Sequence, residues 1–358
     1  MKHLIPLLVI FTLITQLAWA GRAKIDVITK DPYVSALVVD ADTGETLFED
    51  HADSVIYPAS VIKLMVLLIV LERIEQGTLR LDEMVQVSRE AAQMGGSQVY
   101  LDQKEQFPIE ELLYALIIQS ANDAAVALAT HIAGSKESFV TLMNQRASEL
   151  AMKDTRFFSV HGLPPSEGQK PDETTAHDLA ILSRELANKP EAFTYTSARE
   201  REFRDGKFIM RTHNHLLKTV DGCDGFKTGY FKAAGFSIVA TAKRNGVRII
   251  AIVLGSKDRK IRDAKASELL ARGFAKVVPK PGDTKIVRQP EKAGAKAKIN
   301  VVPDPQQAPI PEKKKGNSPF SNRDLIMFGL GFGACLVFCT VLTLFRSRRG
   351  SRKHRRLS

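Results

Sequence analysis

Short apolar segments rich in β-branched residues predict strands near both ends of the region from residue 26 to 278. Val34–Val39 alternates in polarity, and Asp42-Thr43-Gly44 then turns the chain into Thr46–Phe48, which predicts a hairpin. Later strands are predicted around Arg201–Arg211, Gly235–Ala242 and Val247–Leu254. Asn245-Gly246 suits a two-residue turn, so the last two strands are expected to pair as a second hairpin.

Between and after these strands, apolar residues recur at i, i+3 and i+4, a spacing typical of helices with one buried face. Helices are predicted at Ser60–Gln76, Ile109–Gln119, Asp123–Ala133, Lys136–Ala151, Asp178–Leu186 and Ile261–Val277. An early hairpin, a central helical block, late strands and a closing helix predict an α/β (α+β) body with one sheet flanked by helices.

The first 20 residues have the features of a secretory signal peptide. Lys2 and His3 precede an apolar run from Leu4 to Leu17, and Ala18-Trp19-Ala20 resembles a cleavage site. The alternative is an N-terminal membrane anchor, but the run is short for a membrane span and Pro6 interrupts it. We expect cleavage after Ala20 and a folded, exported body over residues 21–279.

The C-terminal region predicts a membrane anchor. Leu325 to Phe345 is 21 residues without a charge, enough to cross a bilayer as a helix. The tail 346–358 is rich in arginine, which orients that end toward the cytoplasm. Residues 280–324 are rich in Lys, Pro and Ala, and we interpret them as a flexible spacer or a reduced C-terminal domain.

The formal net charge of +11 is carried by the segments outside the predicted body. The spacer and the tail hold the excess of basic residues, which leaves residues 21–279 close to neutral. The charge therefore does not indicate a nucleic-acid-binding face. Cys223 is the one cysteine of the body, so no internal disulfide is expected there.

Ser60 and Lys63 are the first candidates for chemistry. Both lie at the start of a predicted helix, and a spacing of three residues places them on one helical face. A serine needs an adjacent base to act as a nucleophile, and a lysine in an apolar pocket has a lowered proton affinity that suits this task. Taken alone, however, such a pair arises by chance, and Ser60 would then be a simple helix N-cap.

Two further motifs follow in order. Ser120-Ala121-Asn122 lies between two predicted helices, where a loop can carry polar side chains into a cleft, although Asn122 could instead be an N-cap. Lys227-Thr228-Gly229 follows a segment predicted to be a strand edge, and its alternative is a simple turn. Here the lysine supplies charge, the threonine a hydroxyl donor, and the glycine close backbone approach to a ligand.

The ordered set of S-x-x-K, S-x-N and K-T-G resembles the penicillin-recognising serine enzymes. Within them the chain is similar to the low-molecular-mass D-alanyl-D-alanine carboxypeptidases, peptidase family S11, from about Tyr33 to Phe274. The resemblance implies a β-lactamase/transpeptidase-like fold, in which an antiparallel sheet flanked by helices meets a helical lobe. It also implies a bacterial protein whose catalytic body is outside the cytoplasmic membrane.

The resemblance implies roles for the catalytic residues. Ser60 would attack the carbonyl of the penultimate D-alanine of a peptidoglycan stem peptide, and Lys63 would take its proton. Ser120 and Lys227 would relay a proton to the departing D-alanine, while Asn122 holds the peptide amide. β-Lactams would acylate Ser60 because they mimic D-Ala-D-Ala, and no metal or organic cofactor is expected.

The resemblance also implies substrate-binding residues. Thr228 would bind the terminal carboxylate, Gly229 would let the substrate approach, and the backbone N–H of Tyr230 would join that of Ser60 in the oxyanion hole. His213 is near a position where the family often has a basic residue, and Arg248 is a further candidate for the carboxylate. We disfavour a zinc site at His213 and His215 because no third ligand is evident.

Other functions stay open. A D,D-endopeptidase would use the same residues to cut peptidoglycan cross-links. A class A β-lactamase would need a glutamate to activate the deacylating water, for which Glu167 and Glu173 are the candidates, although no pattern around them fits. A non-catalytic peptidoglycan-binding module would have no need of Lys63.

Overall fold

The computed structural model describes residues 22–277. The predicted signal peptide, the spacer 280–324, the membrane helix 325–345 and the tail 346–358 lie outside the described residues. Among residues 22–277, no helix combines the length and apolar character needed to span a membrane.

Five antiparallel strands form the main sheet, in the order β2-β1-β9-β8-β7. The strands are β1 (Ser35–Asp40), β2 (Thr46–Asp50), β7 (Cys223–Phe231), β8 (Gly235–Arg244) and β9 (Val247–Ser256). The early hairpin and the hairpin turning at Asn245-Gly246 are both confirmed. Asn245 and Gly246 have φ values of 47° and 80°, the left-handed conformation that this two-residue turn requires.

Helix α9 (Arg259–Lys276) covers most of one face of the sheet, where Leu216 joins the same core. Asp258 caps its first turn by accepting hydrogen bonds from the backbone N–H groups of Lys260 and Ile261, at 2.7 and 3.0 Å. A Cβ on Gly273 would lie 2.6 Å from Ile249 Cγ2, so this glycine lets the helix pack directly on the strands. The positions of Arg259 and Arg262 follow from this packing.

The other face of the sheet packs against a helical block. Its centre is α1 (Lys63–Glu75), in which every residue from Lys63 to Leu71 is buried, so this part of the helix is surrounded on all sides. The remaining helices are α2 (Arg89–Ala92), α3 (Ile109–Tyr114), α4 (Asn122–Ala133), α5 (Lys136–Glu149), α6 (Ala176–Ala187), α7 (Pro190–Thr196) and α8 (Leu216–Thr219).

Every residue of β1 and β9 is buried, so these two strands are almost continuously apolar and separate the core under α9 from the core of the helical block. In β9, for example, Ile249 and Ala251 belong to the core under α9, whereas Ile250 and Ile252 face the helical block. Two small hairpins complete the fold, β3 (Met84–Gln86) with β4 (Gln106–Pro108) and β5 (Glu200–Phe203) with β6 (Phe208–Arg211).

Candidate active site

Ser60 lies in a 3₁₀ turn, Ala59–Ile62, that leads directly into α1. Lys63, the first residue of α1, is fully buried, and its Nζ is 3.0 Å from Ser60 Oγ. Two further oxygens contact the same nitrogen: Asn122 Oδ1 at 2.8 Å and the backbone carbonyl of His161 at 2.7 Å. The structure therefore brings Ser60, Lys63 and Asn122 together.

Burial lowers the pKa of Lys63 well below its ordinary value, and the nearby Lys227 lowers it further. A neutral lysine has two N–H bonds and one lone pair. Asn122 Oδ1 and the His161 carbonyl can only accept hydrogen bonds, so they take both hydrogens and direct the lone pair of Lys63 toward Ser60 Oγ. This geometry suits a base that accepts the serine proton.

Ser120 and Lys227 form a second serine–lysine pair. Ser120 adopts a left-handed conformation, with φ of 59°, between the π-helical turn Ala115–Gln119 and α4. This bend directs its hydroxyl to Lys227 on β7, whose Nζ donates to Ser120 Oγ at 3.0 Å and to the Thr228 carbonyl at 3.0 Å. Burial, and then the positive charge of Arg262, lower the pKa of Lys227 to about 7. Near neutral pH this lysine can both give and take a proton.

The loop that faces Ser120 and Asn122 is held by buried hydrogen bonds. Asn122 donates to the Gly95 carbonyl at 2.8 Å, and its backbone N–H donates to the Ser97 carbonyl at 2.8 Å. Asp123 accepts from the backbone N–H groups of Val99 and Leu101. Residues 95–101 are thus fixed as one wall of the cleft.

A buried carboxylate supports the third contact of Lys63. Asp172 accepts from the backbone N–H and the hydroxyl of Ser159, at 2.8 and 2.6 Å, and the Ser159 hydroxyl in turn accepts from the Gly162 N–H at 2.9 Å. This chain fixes the turn that presents the His161 carbonyl. Burial raises the pKa of Asp172 to about 6. Asp172 was not predicted from the sequence, because nothing in the local pattern marks it.

The edge of β7 passes very close to Ser60. A Cβ on Gly229 would lie 2.6 Å from the Pro58 carbonyl oxygen and 3.1 Å from Ser60 N, so only glycine fits here. Thr228 precedes this point and is nearly buried, and Tyr230 follows it and is exposed. The strand edge and the first turn of the helix therefore border one pocket.

A cavity of about 350 Å³ lies over these residues. It is lined by Ser60, Gly96, Ser97, Ser120, Asn122, Gly162, Leu163, Pro164, His213, His215, Thr228, Gly229, Tyr230, Phe236, Arg259 and Arg262. Glu167 and Glu173 do not line it. Among residues 22–277, no three His, Cys, Asp or Glu side chains converge as metal ligands.

The prediction that Arg248 binds the substrate carboxylate is wrong, because Arg248 lies away from this cavity. Its guanidinium makes two hydrogen bonds to Asp224, at 2.7 and 2.8 Å, and stacks on the Phe193 ring. Thr228 pairs with Ile238 on β8, and Ile238 pairs in turn with Val253 on β9. Val253 is five positions along β9 from Arg248. At the rise of an extended strand the separation is about 17 Å, too far for Arg248 to bind a ligand held by Thr228.

Arg262 lines the cavity instead, and it was not predicted from the sequence. Its side chain is 2% exposed and donates to the Ser237 carbonyl at 3.2 Å, and Ser237 pairs with Gly229 across the sheet. It also contacts Asp263 Oδ1 at 2.5 and 2.9 Å. The only available signal was its place in the first turn of the closing helix, which does not show where that helix packs. His213 also borders the cavity.

An antiparallel sheet that meets a helical block at two serine–lysine pairs and a Lys-Thr-Gly strand edge is the architecture of the penicillin-recognising serine enzymes. Residues 30–258 match the profile of the peptidase S11 family, D-alanyl-D-alanine carboxypeptidase. The chain belongs to this family.

Individual relatives agree with this assignment. D-alanyl-D-alanine carboxypeptidase DacF of Bacillus subtilis is 36% identical over 250 residues, which cover 69% of this chain and 63% of that protein. DacC of Escherichia coli is 36% identical over 276 residues, 74% of this chain and 68% of the relative. The match thus spans slightly less than two thirds of the Bacillus relative. A D-alanyl-D-alanine endopeptidase of Pseudomonas aeruginosa is 30% identical, with 64% of this chain and 74% of that protein covered.

A solved structure has the same fold. Penicillin-binding protein D2 from Listeria monocytogenes, crystallised in an ampicillin-bound form, superposes with a TM-score of 0.61 at 33% sequence identity. The superposition covers 68% of this chain and 97% of the Listeria chain. The predicted antiparallel sheet with flanking helices is confirmed.

Proposed function

We propose that this chain is a serine-type D-alanyl-D-alanine carboxypeptidase that acts on peptidoglycan stem peptides through an acyl-enzyme at Ser60. The observation that carries the proposal is the environment of Lys63. A fully buried lysine whose two other contacts are acceptor oxygens has its lone pair free for the hydroxyl 3.0 Å away. A helix N-cap or a binding module has no use for that arrangement.

In the acylation step, Ser60 Oγ attacks the carbonyl carbon of the penultimate D-alanine while its proton passes to Lys63 Nζ. The developing oxyanion is stabilised by the backbone N–H groups of Ser60 and Tyr230. The close approach of Gly229 to Ser60 N supports this role, because it brings the β7 edge beside the helix start.

The leaving group needs a proton when its C–N bond breaks. Ser120 Oγ gives this proton to the amine of the terminal D-alanine and is reprotonated by Lys227, whose pKa of about 7 suits transfer near neutral pH. Water then hydrolyses the ester at Ser60, with the proton transfers reversed. These side chains supply the chemistry, so the proposal invokes no cofactor.

We assign the terminal carboxylate to Thr228 and Arg262. The threonine hydroxyl is nearly buried at the cavity wall, and Arg262 is a buried cation held beside the partner strand of Gly229. A charged hydrogen bond in such a site is stronger than one in water. β-Lactams carry a carboxylate at the corresponding place and are expected to acylate Ser60.

Mass spectrometry after incubation with benzylpenicillin tests this proposal, combined with an assay for D-alanine released from a D-Ala-D-Ala stem peptide. We expect one adduct on Ser60 and release of D-alanine. Ser60→Ala should keep the fold and lose both activities. An adduct on Ser60→Ala at the wild-type level would remove Ser60 as the nucleophile.

The second candidate is a D,D-endopeptidase, supported by the similarity to the Pseudomonas endopeptidase. Such an enzyme would use the same residues on a different peptide. A cross-linked stem-peptide dimer distinguishes the two activities, because an endopeptidase releases monomers from it and a carboxypeptidase releases D-alanine from free stem ends.

We also propose that the body is exported and tethered to the bacterial cytoplasmic membrane by Leu325–Phe345, with the basic tail inside the cell. The amino-acid pattern of both ends supports this topology. Full-length protein should remain with the membrane fraction, and a version ending at Ser318 should be released with its activity intact. Release of the full-length protein would refute the anchor.

A further inference from the structure

The cavity lining combines several basic side chains with no acidic one. Two arginines and two histidines line it, and none of its lining residues within 22–277 is an aspartate or a glutamate. The proposed substrate brings one carboxylate from its terminal D-alanine, which Thr228 and Arg262 can bind. At least one basic side chain of the lining is therefore left without an assigned ligand.

The two arginines lie at different depths. Arg262 is buried and its charge is partly balanced by Asp263. Arg259 lies one helical turn earlier, about 4.5 Å along the axis of α9, and it is exposed. No acceptor among the described residues is within hydrogen-bonding distance of its side chain. Arg259 is close enough to add to the lowering of the Arg262 pKa, which burial chiefly causes.

The histidines supply further hydrogen-bonding groups in the lining of the same cavity as Arg259. Neither His213 nor His215 has a side-chain partner among residues 22–277. Desolvation and then Lys227 lower the pKa of His213 to about 4, so it is neutral at neutral pH. Within the part of the chain that the structure describes, the cavity lining thus has one arginine without a hydrogen-bonding partner, Arg259, together with two imidazole rings.

We propose that Arg259, assisted by His213 and His215, binds a second carboxylate on the donor part of the substrate. The preferred substrates are then stem peptides in which the residue before D-Ala-D-Ala has a carboxylate in its side chain. This proposal rests on the proposed function and names the substrate class for the same cavity.

The chemistry of the substrate places that carboxylate on the donor side. The terminal D-alanine has only a methyl side chain and the carboxylate already assigned, and the penultimate D-alanine also has only a methyl group. The first possible position for another anion is therefore the preceding side chain. Its Cα lies about 7 Å from that of the terminal residue in an extended peptide, a distance that an arginine at the rim can bridge.

The test uses two peptides that differ in one group: an N-acylated 2-aminopimelyl-D-alanyl-D-alanine and its side-chain carboxamide. We expect the wild type to have the higher kcat/KM for the acid. In Arg259→Gln the ratio of kcat/KM, acid to amide, should fall about 3- to 10-fold, as for a partly exposed charged pair. Lys260→Gln is the matched control, because Lys260 is a cation on the same helix that does not line the cavity. Its ratio should equal that of the wild type.

Carbenicillin and benzylpenicillin give a second readout, since they differ by one side-chain carboxylate. The ratio of their acylation rates should fall in Arg259→Gln and not in Lys260→Gln. An unchanged ratio in Arg259→Gln would overturn the proposal. Equal losses of kcat/KM on the acid and amide peptides would also overturn it, because they would assign Arg259 to the terminal carboxylate that both peptides share. An equal fall of the ratio in Arg259→Gln and Lys260→Gln would overturn it too, because it would indicate a nonspecific effect of positive charge. Failure of the proposed function is distinct, because the wild type would then release no D-alanine from either peptide.

Discussion

Replacement of Gly162 by alanine should impair both stability and acylation. Gly162 has φ of 74°, and an added Cβ would lie 2.1 Å from the Ala59 carbonyl oxygen and 3.0 Å from Ser60 N. The left-handed conformation costs about 1–2 kcal/mol for alanine, and overpacking adds about 1–3 kcal/mol. Since a domain is stable by about 5–15 kcal/mol, the variant should still fold.

The rate effect follows from how far the neighbours must move. Relief of the overlap requires a shift of about 1 Å in the turn before Ser60 or in the turn that presents the His161 carbonyl to Lys63. A displacement of that size at reacting groups costs about 100-fold in rate. We therefore expect the second-order rate of acylation by benzylpenicillin to fall by about that factor.

Gly134→Ala is the matched control. Gly134 has φ of 78° at the end of α4, but no atom lies within 4 Å of an added Cβ. It should lose about 1–2 kcal/mol of stability and acylate at the wild-type rate. Urea unfolding and intact-protein mass spectrometry measure both quantities. If Gly162→Ala acylates as fast as Gly134→Ala, the close packing against Ala59 does not position the nucleophile.

Two further predictions concern buried charges. The pKa of Asp172 is about 6 in the folded state and 3.8 ordinarily, so the folded state binds the carboxyl proton more tightly than the unfolded state does. The free energy of unfolding should therefore fall by about 3 kcal/mol as pH rises from about 4 to 6. Asp172→Asn should remove that slope in urea unfolding, and parallel wild-type and variant curves would contradict it. Arg248→Gln should lose about 1–3 kcal/mol of stability, because it leaves the partly buried Asp224 carboxylate without its ion-pair partner. KM for the stem peptide should stay unchanged, and a raised KM would assign Arg248 to substrate binding.

The amino-acid sequence predicted the elements whose causes are local. The turn at Asn245-Gly246 needs only two residues that tolerate positive φ, and the helices over 136–149 and 176–187 need only apolar spacing and a capping Ser135 or Thr175. Short elements were missed. The β3–β4 hairpin has three residues in each strand, so no periodicity can identify it.

Arg248 and Arg262 show a choice that the sequence alone does not decide. Arg248 and Arg262 both follow Lys227-Thr228-Gly229, and the pattern gives no reason to prefer one. The choice depends on strand register, which places Arg248 five positions from the level of Thr228, and on the packing of α9, which directs Arg262 into the cavity. Strand register and helix packing are features of the tertiary structure, and a sequence motif does not contain them.

The same limit applies to the catalytic pair. The three-residue spacing brings Lys63 within reach of Ser60, but reach does not make a lysine basic toward serine at neutral pH. That property comes from the burial of the first part of α1 on all sides, which lowers the pKa of Lys63, and from the two acceptor oxygens of Asn122 and His161, which orient its lone pair. These oxygens come from 59 and 98 residues further along the chain. The motif therefore supplies the reacting atoms, and the surrounding fold sets the protonation state in which they can react.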